Sequence, residues 1–322
     1  MPKPDPIEQA LNRLACLKAI PPSPELIREL RSFLGNRSNL VVAKAAKISG
    51  ERRLTSLIPE LVAAFHKRMA DPQRLDKRCA AVTEIVVALY EMDYVEPDVY
   101  RKGIVHIQRE AAYGDPVDAA AQLRGLCAQG LVRTSQPDAL PAAVCLLVDP
   151  EPPARIGAVR ALASNGGDCG ELVLRLKVLT GDREPEVLAE CFAGLLAARS
   201  DAVLDFVARY IDSEDEAVAE VAILALGATR SSKAIAVLKQ KWETTLPGPL
   251  RRILLLALTT CRNEGALTFL LTLLETAPVS TATEILTVLA NQHPAARVRQ
   301  AIEATLTGRA DKSLLATFYR EF

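Results

Sequence analysis

DPEPPARIGAVRALASNG (149–166), DREPEVLAECFAGLLAARS (182–200), DSEDEAVAEVAILALGATRS (212–231) and LPGPLRRILLLALTTCRNEG (246–265) are four versions of one pattern. Each opens on an Asp, Pro or Gly turn and continues with apolar residues four apart: Ala154, Ala158, Leu162; Val187, Cys191, Leu195; Val218, Ala222, Leu226; Leu250, Leu254, Leu258. Spacing of i, i+4, i+8 puts each trio on one helix face. Successive trios start 33, 31 and 32 residues apart. That period leaves room for a second helix and two short turns. The second helices read as ELVLRLKVL (171–179), AVLDFVARYI (202–211), KAIAVLKQKW (233–242) and ALTFLLTLLE (266–275).

Turn chemistry agrees with this division. Asp149, Asp182 and Asp212 stand where an N-cap carboxylate accepts from unpaired backbone N–H groups, a contact of about 1 kcal/mol. Pro150, Pro152, Pro153 and Pro185 fall in the turn or first helical turn, where a missing N–H costs little. Gly166 and Gly167 are expected to end one helix and begin the next.

Towards the N-terminus the pattern loosens into SNLVVAKAAKISGERR (38–53), DPQRLDKRCAAVTEIVVALYE (71–91) and GDPVDAAAQLRGLCAQGL (114–131). Asp71 and Asp115 lie 44 residues apart, and EMDYVEPDVYRKGIVHIQRE (91–110) holds the excess together with a Tyr90, Tyr94, Tyr100 cluster. An insertion is expected near 91–110. At the other end, 278–306 makes one further unit and SLLATFYREF (313–322) a closing helix, because an end repeat otherwise exposes its apolar face. The expected domain structure is a single array over 1–322, with degenerate repeats over 1–135, regular ones over 136–306 and a cap over 307–322.

Composition fits helices. Hydrophobic residues make up 49% of the 322 residues but aromatics only 4%, so the apolar material is mostly Ala, Leu, Val and Ile. Strand-like runs bounded by Asn-Gly or Asp-Gly turns are missing. Lys+Arg and Asp+Glu balance at 39 each, which argues against a nucleic-acid partner drawn in by net charge. Seven scattered cysteines, with no Cys-x-x-Cys, fit a reducing compartment. No apolar run reaches the ~18 residues of a membrane span, and the N-terminal stretch lacks a signal-peptide core. A cytoplasmic protein without a membrane partner is expected.

The pattern resembles HEAT repeats, in particular the short bacterial HEAT-like type also found in phycobilin lyases. That unit has an outer helix, a turn carrying Asp, and an inner helix with the pattern Val-Arg-x-x-Ala-x-x-Ala-Leu. ARIGAVRAL (154–162) matches with Arg155 at the arginine position. Leu188 and Ala219 depart from it, and Arg251 restores it. The resemblance is good from about 140 to 300. It implies an all-α, right-handed α-solenoid of antiparallel helix pairs, about eight repeats long, whose helices after the Asp turn line a concave face.

No chemical site stands out. His66, His106 and His293 have no partner at metal-ligand spacing. Gly166-Gly167 lacks the lysine and spacing of a phosphate loop, no nucleophile elbow or His-Glu-x-x-His occurs, and nothing near Cys169 argues for an activated thiol. No catalytic residue, metal or cofactor is expected. Charge is more informative. Residues 25–78 carry a balance of +6, with 12 basic against 6 acidic side chains, while 182–220 carry −8, with 3 against 11.

Glu186, Glu190, Glu216 and Glu220 would lie near the concave face or its rim. Acids at helix starts also simply complement the dipole, which explains Glu190 and Glu220 less readily. With Lys44, Lys47 and the repeat arginines Arg155 and Arg251, they are the candidate partner contacts. The expected function is a non-enzymatic scaffold holding another protein, one with a basic element, in its groove. Alternatives are nucleic-acid binding of the kind seen in HEAT-like DNA glycosylases, and a chaperone role like that of phycobilin lyases. The lone Trp242 and the neutral charge balance disfavour the former.

Overall fold

Helices begin where the turn residues stop them from beginning earlier. In the computed structural model, which describes residues 5–197, 200–292, 295–309 and 311–322, eight of the helices have proline in the first or second position. There the absent N–H has no intrahelical partner to lose. The chain divides into two compact units, Met1–Lys177 and Val178–Phe322.

In the first unit one row of helices comprises α1 (Pro6–Leu17), α3 (Asn39–Glu51), α6 (Ala80–Glu91), α8 (Ala121–Arg133) and α10 (Pro152–Asn165). Each packs on the next in the row. The second row holds α2 (Pro24–Leu34), α4 (Ile58–Met69), α7 (Pro97–Ile104) and α9 (Ala139–Leu146), and a short helix α5 (Pro72–Leu75) leads into α6. Small and branched side chains of the first row, such as Val41, Ala45, Val82, Ile85, Cys127 and Ala158, are fully buried. Segment 91–110, expected as an insertion, contains α7, which packs on α8. Between those two helices run the strands β1 (Arg109–Glu110) and β2 (Val117–Asp118), paired antiparallel with Arg109 opposite Asp118. Among the described residues this hairpin is the one departure from helix and turn.

The second unit repeats the two-row plan. One row is α12 (Pro185–Leu196), α14 (Glu216–Gly227), α16 (Pro249–Thr260), α18 (Val279–Asn291) and α20 (Lys312–Glu321); the other is α13 (Asp201–Ala208), α15 (Ser232–Thr244), α17 (Glu264–Thr276) and α19 (Ala296–Arg309). Neighbours within each of these rows touch, and consecutive helices from α12 to α18, and α19 with α20, pack on one another. Helix α11 (Gly167–Thr180) carries the chain from one unit to the other. Ten of the twelve anchors are buried; Val218 and Leu250, in the first turns of α14 and α16, are half-exposed. The closing helix is α20, which buries Leu314 and Phe318 against the array.

The turn aspartates act differently from the expectation. Asp149 accepts from the Glu151 N–H at 2.9 Å and Asp182 from the Glu184 N–H at 3.0 Å, closing turns two residues on rather than capping helices. The prolines fix the starts of α10 and α12 two residues later, so the caps fall on Glu151 and Glu184, neither of which makes a side-chain cap bond. Asp212 instead pairs with Lys241 at 2.7 Å, and Asp215 caps α14 through the Ala217 and Val218 N–H groups. Asp215→Ala should lower stability of the second unit by about 1 kcal/mol, read as a shift in its thermal unfolding midpoint.

Candidate functional site

An aspartate before each helix start and an arginine six residues later recur at Asp118/Arg124 and Asp149/Arg155. Arg124, 3% exposed, joins two of these turns. Its Nε and Nη2 donate to the Asp149 carboxylate, both at 2.9 Å, while Nη1 donates to Asp118 Oδ2 at 2.6 Å and to the His106 carbonyl at 2.9 Å. Forked pairing of this kind suits a guanidinium alone among cations. Burial opposes ionisation of Asp118, yet hydrogen bonds from the Ala120 and Gln108 N–H groups and from Arg124 outweigh it and hold the carboxyl below its ordinary range. Arg124 shows the matching effect, with burial overcome by its bonds to Asp149 and Asp118 so that its affinity for the proton rises.

The hairpin extends this network to α6. Asp76, fully buried, accepts from the Ala81 and Val82 N–H groups at 2.9 and 2.7 Å and from Asn39 Nδ2 at 3.1 Å. Gln108 Nε2 donates to the Asp76 carbonyl at 2.9 Å and to Glu110 Oε1 at 2.6 Å. That same Glu110 oxygen takes the Arg78 N–H at 2.5 Å, at a turn where Arg78 and Cys79 both hold left-handed backbone with φ of 61° and 51°. Non-glycine residues adopt this region only when their surroundings impose it. Burial first, then the nearby Asp76, Glu110 and Asp118, pushes the Cys79 thiol up to about 12, so it stays protonated and unreactive at neutral pH. Every bond in the network is internal, and its chemistry is to lock α6, α8 and α10 in register.

The predicted contacts fall in both units. Lys44 is half-buried and Lys47 exposed on α3 in the first unit. Arg155 is 8% exposed, with Nη1 donating to the Asp149 and Pro150 carbonyls at 2.8 and 3.0 Å, so its head is tied to its own turn. Arg251, in the second unit, lies over the buried Trp242 ring at 4.4 Å from its centroid, with its Nε making no hydrogen bond among the described residues. Glu186 and Glu216 are exposed, and Glu190 and Glu220 half-buried, on the adjacent helices α12 and α14.

Neighbouring acids are already matched. Lys233 Nζ meets Asp205 and Lys241 Nζ meets Asp212, at 2.8 and 2.7 Å, each one repeat along the chain. Glu184, Glu186, Glu214 and Glu216 stay exposed with no ion pair among the described residues.

Of the histidines, His66 lies 3.3 Å from Asp98, His106 Nε2 lies 3.1 Å from Gln108 Oε1, and His293 lies outside the described residues. Tyr94 and Tyr100 do come together, ring centroids 6.1 Å apart, with the Tyr100 hydroxyl donating to the Tyr94 carbonyl at 2.9 Å. Among the described residues no helix is long and apolar enough to cross a membrane, and no three acidic, His or Cys side chains group as metal ligands.

A further feature escaped the sequence reading. A cavity of about 710 Å³ opens in the second unit among α16, α17, α18 and α19. Its residues come from four separate helices and the turns between them, each of which reads as an ordinary repeat position, so no local pattern marks it.

Residues 172–259 match the family model for HEAT repeats. HEAT repeats are therefore recognised over residues 172–259, about a quarter of the chain. The match covers most of α11 and nearly all of α16, taking in the helices between. No curated protein matches the sequence. Among solved structures, human deoxyhypusine hydroxylase in complex with glycerol is similar at 18% identity, covering 82% of this chain and 91% of that one, with a TM-score of 0.29. An engineered protein is similar at 15% identity, over 92% and 87%, with a TM-score of 0.37. The CpcE–CpcF phycocyanin lyase complex of Nostoc is similar at 16% identity, over 89% and 96%, with a TM-score of 0.35. At these values the HEAT assignment rests on the repeat match and the helical plan of each unit.

Proposed function

We propose that this HEAT-repeat chain is a protein-interaction module and that its second unit receives a basic element of a partner. One array over 1–322, as the sequence reading has it, belongs to the same proposal. The observation that carries it is the set of unmatched acids at the starts of α12 and α14. Lys233 and Lys241 neutralise Asp205 and Asp212, whereas Glu184, Glu186, Glu214 and Glu216 face solvent with no cation paired to them among the described residues. Charges in such a position steer encounter and set specificity more than they add affinity. Their effect weakens as salt shortens the Debye length from about 10 Å at 0.1 M to about 3 Å at 1 M.

Reversing Glu186→Lys together with Glu216→Lys is expected to cut partner recovery in an affinity pull-down at least tenfold, with the remaining binding insensitive to salt. Both side chains are exposed, so the fold should survive, which circular dichroism checks. Undiminished recovery from the folded double variant would eliminate the acidic surface as the contact.

A further inference from the structure

The cavity among α16–α19 is lined by side chains of two kinds. Buried Leu258, Leu270 and Leu289 and the half-exposed Leu267, Leu271 and Val298 make an apolar interior. Its volume of about 710 Å³ falls within the range of about 300–1,000 Å³ usual for small-molecule sites, which combine mostly apolar linings with a few polar groups. The charged residues, Arg262, Glu264 and Arg297, lie where the chain turns into α17 and α19. Arg262, exposed and with φ of 45°, carries no ion pair among the described residues. Arg297 Nη2 lies 3.2 Å from Glu264 Oε1, with the two side chains 87% and 83% exposed. A pair so open to water holds little energy and separates readily. Two guanidinium groups against one carboxylate leave the polar edge of the cavity positive.

We infer that this cavity binds a small amphipathic anion, an unbranched alkyl chain carrying a carboxylate. The leucines would take the chain out of water, and Arg262 would hold the head. Arg297 would join it by exchanging one exposed carboxylate for another. A cationic head would meet Arg262 unfavourably, and a short carboxylate would leave the apolar interior in contact with water. The inference uses residues of α16–α19 alone, so it stands or falls independently of the acidic surface on α12 and α14.

Titration calorimetry of the full chain with octanoate, decanoate and dodecanoate, each below its micelle concentration, tests it. Saturable binding of one ligand per chain is expected, tightening about fourfold for each added methylene. Dodecylammonium should bind at least tenfold more weakly than dodecanoate. Leu271→Trp, which fills the interior from a half-exposed position, should abolish the binding. Arg262→Glu, at an exposed site, should weaken dodecanoate at least fivefold while leaving the melting temperature unchanged. Absence of saturable dodecanoate binding overturns the inference, as does binding undiminished in folded Leu271→Trp or equal affinity for the ammonium.

Discussion

Replacing Gly157 with leucine is expected to destabilise the first unit by about 3 kcal/mol, at the upper end of the usual cost of overpacking. Helices α8 and α10 touch there backbone to backbone. A Cβ at Gly157 would lie 2.1 Å from Gly125 Cα, and one at Gly125 would lie 2.7 Å from the Pro153 carbonyl oxygen. Neither neighbour is a side chain that can swing aside, so the helices must separate and lose contact along their length. The same row closes on small residues at Gly50, whose Cβ would meet Ala88 Cα at 2.7 Å. Hydrogen exchange gives a local readout: amides of α8 and α10 should lose about two orders of magnitude of protection in Gly157→Leu. Gly35→Ala is the control. Gly35 has ordinary helical backbone at φ −80° and its nearest neighbour stands 3.4 Å from the added carbon, so alanine should be tolerated without loss. Equal protection in Gly157→Leu and the native chain would refute the backbone contact.

Arg124→Met should cost about 3–5 kcal/mol, the usual penalty for removing one partner from a buried ion pair. Methionine fills much of the same volume, so the loss is electrostatic. Asp118 and Asp149, each about one-tenth exposed, would be left beside each other without their shared cation. The effect has a pH signature.

In the native chain Asp118 is held below its ordinary pKa of about 3.9. Its stabilising contribution is therefore complete above that value and is lost as pH falls through the depressed one. In Arg124→Met the arginine's share of the depression disappears while burial, the largest influence on this carboxyl, remains. Protonation then relieves the variant, and the stability gap to the native chain should be widest near pH 7 and narrow towards pH 4. Urea unfolding at pH 7, 5.5 and 4 measures this. A gap that stays constant with pH would mean that Arg124 acts by packing alone.

Much of the fold was legible in single residues. Ala154, Ala158 and Leu162, or Val187, Cys191 and Leu195, are buried because four-residue spacing aims them at one neighbour whatever lies elsewhere in the chain. The second helices of each pair appear at the expected places, from α11 to α17. The role of the turn aspartates was misjudged by a small margin with a clear cause. A carboxylate three residues before a proline-started helix is too far back to cap it, and finds the N–H two residues on instead. The hairpin over 109–118 gave no signal, since its strands are two residues long and depend on Gln108, Glu110 and Asp118 bonding to residues around 76–78 and 124.

For the candidate surface the balance is reversed. An acidic excess over 182–220 is a property of the residues and could be counted. Which acids remain available could not, because Asp205 and Asp212 find their lysines 28 and 29 residues further on, across the stacked helices. Likewise Arg155 reads as a candidate contact until its guanidinium is seen bonded to its own turn.

Periodicity and turn chemistry act between residues a few positions apart, so the amino-acid order alone determined the helices, their pairing and the repeat. Charge neutralisation, glycine contacts and the leucine-lined cavity depend on side chains about a repeat apart coming within a few ångströms. Stacking brings them together, and it was therefore the tertiary structure that decided which groups are locked inside and which stay exposed to solvent.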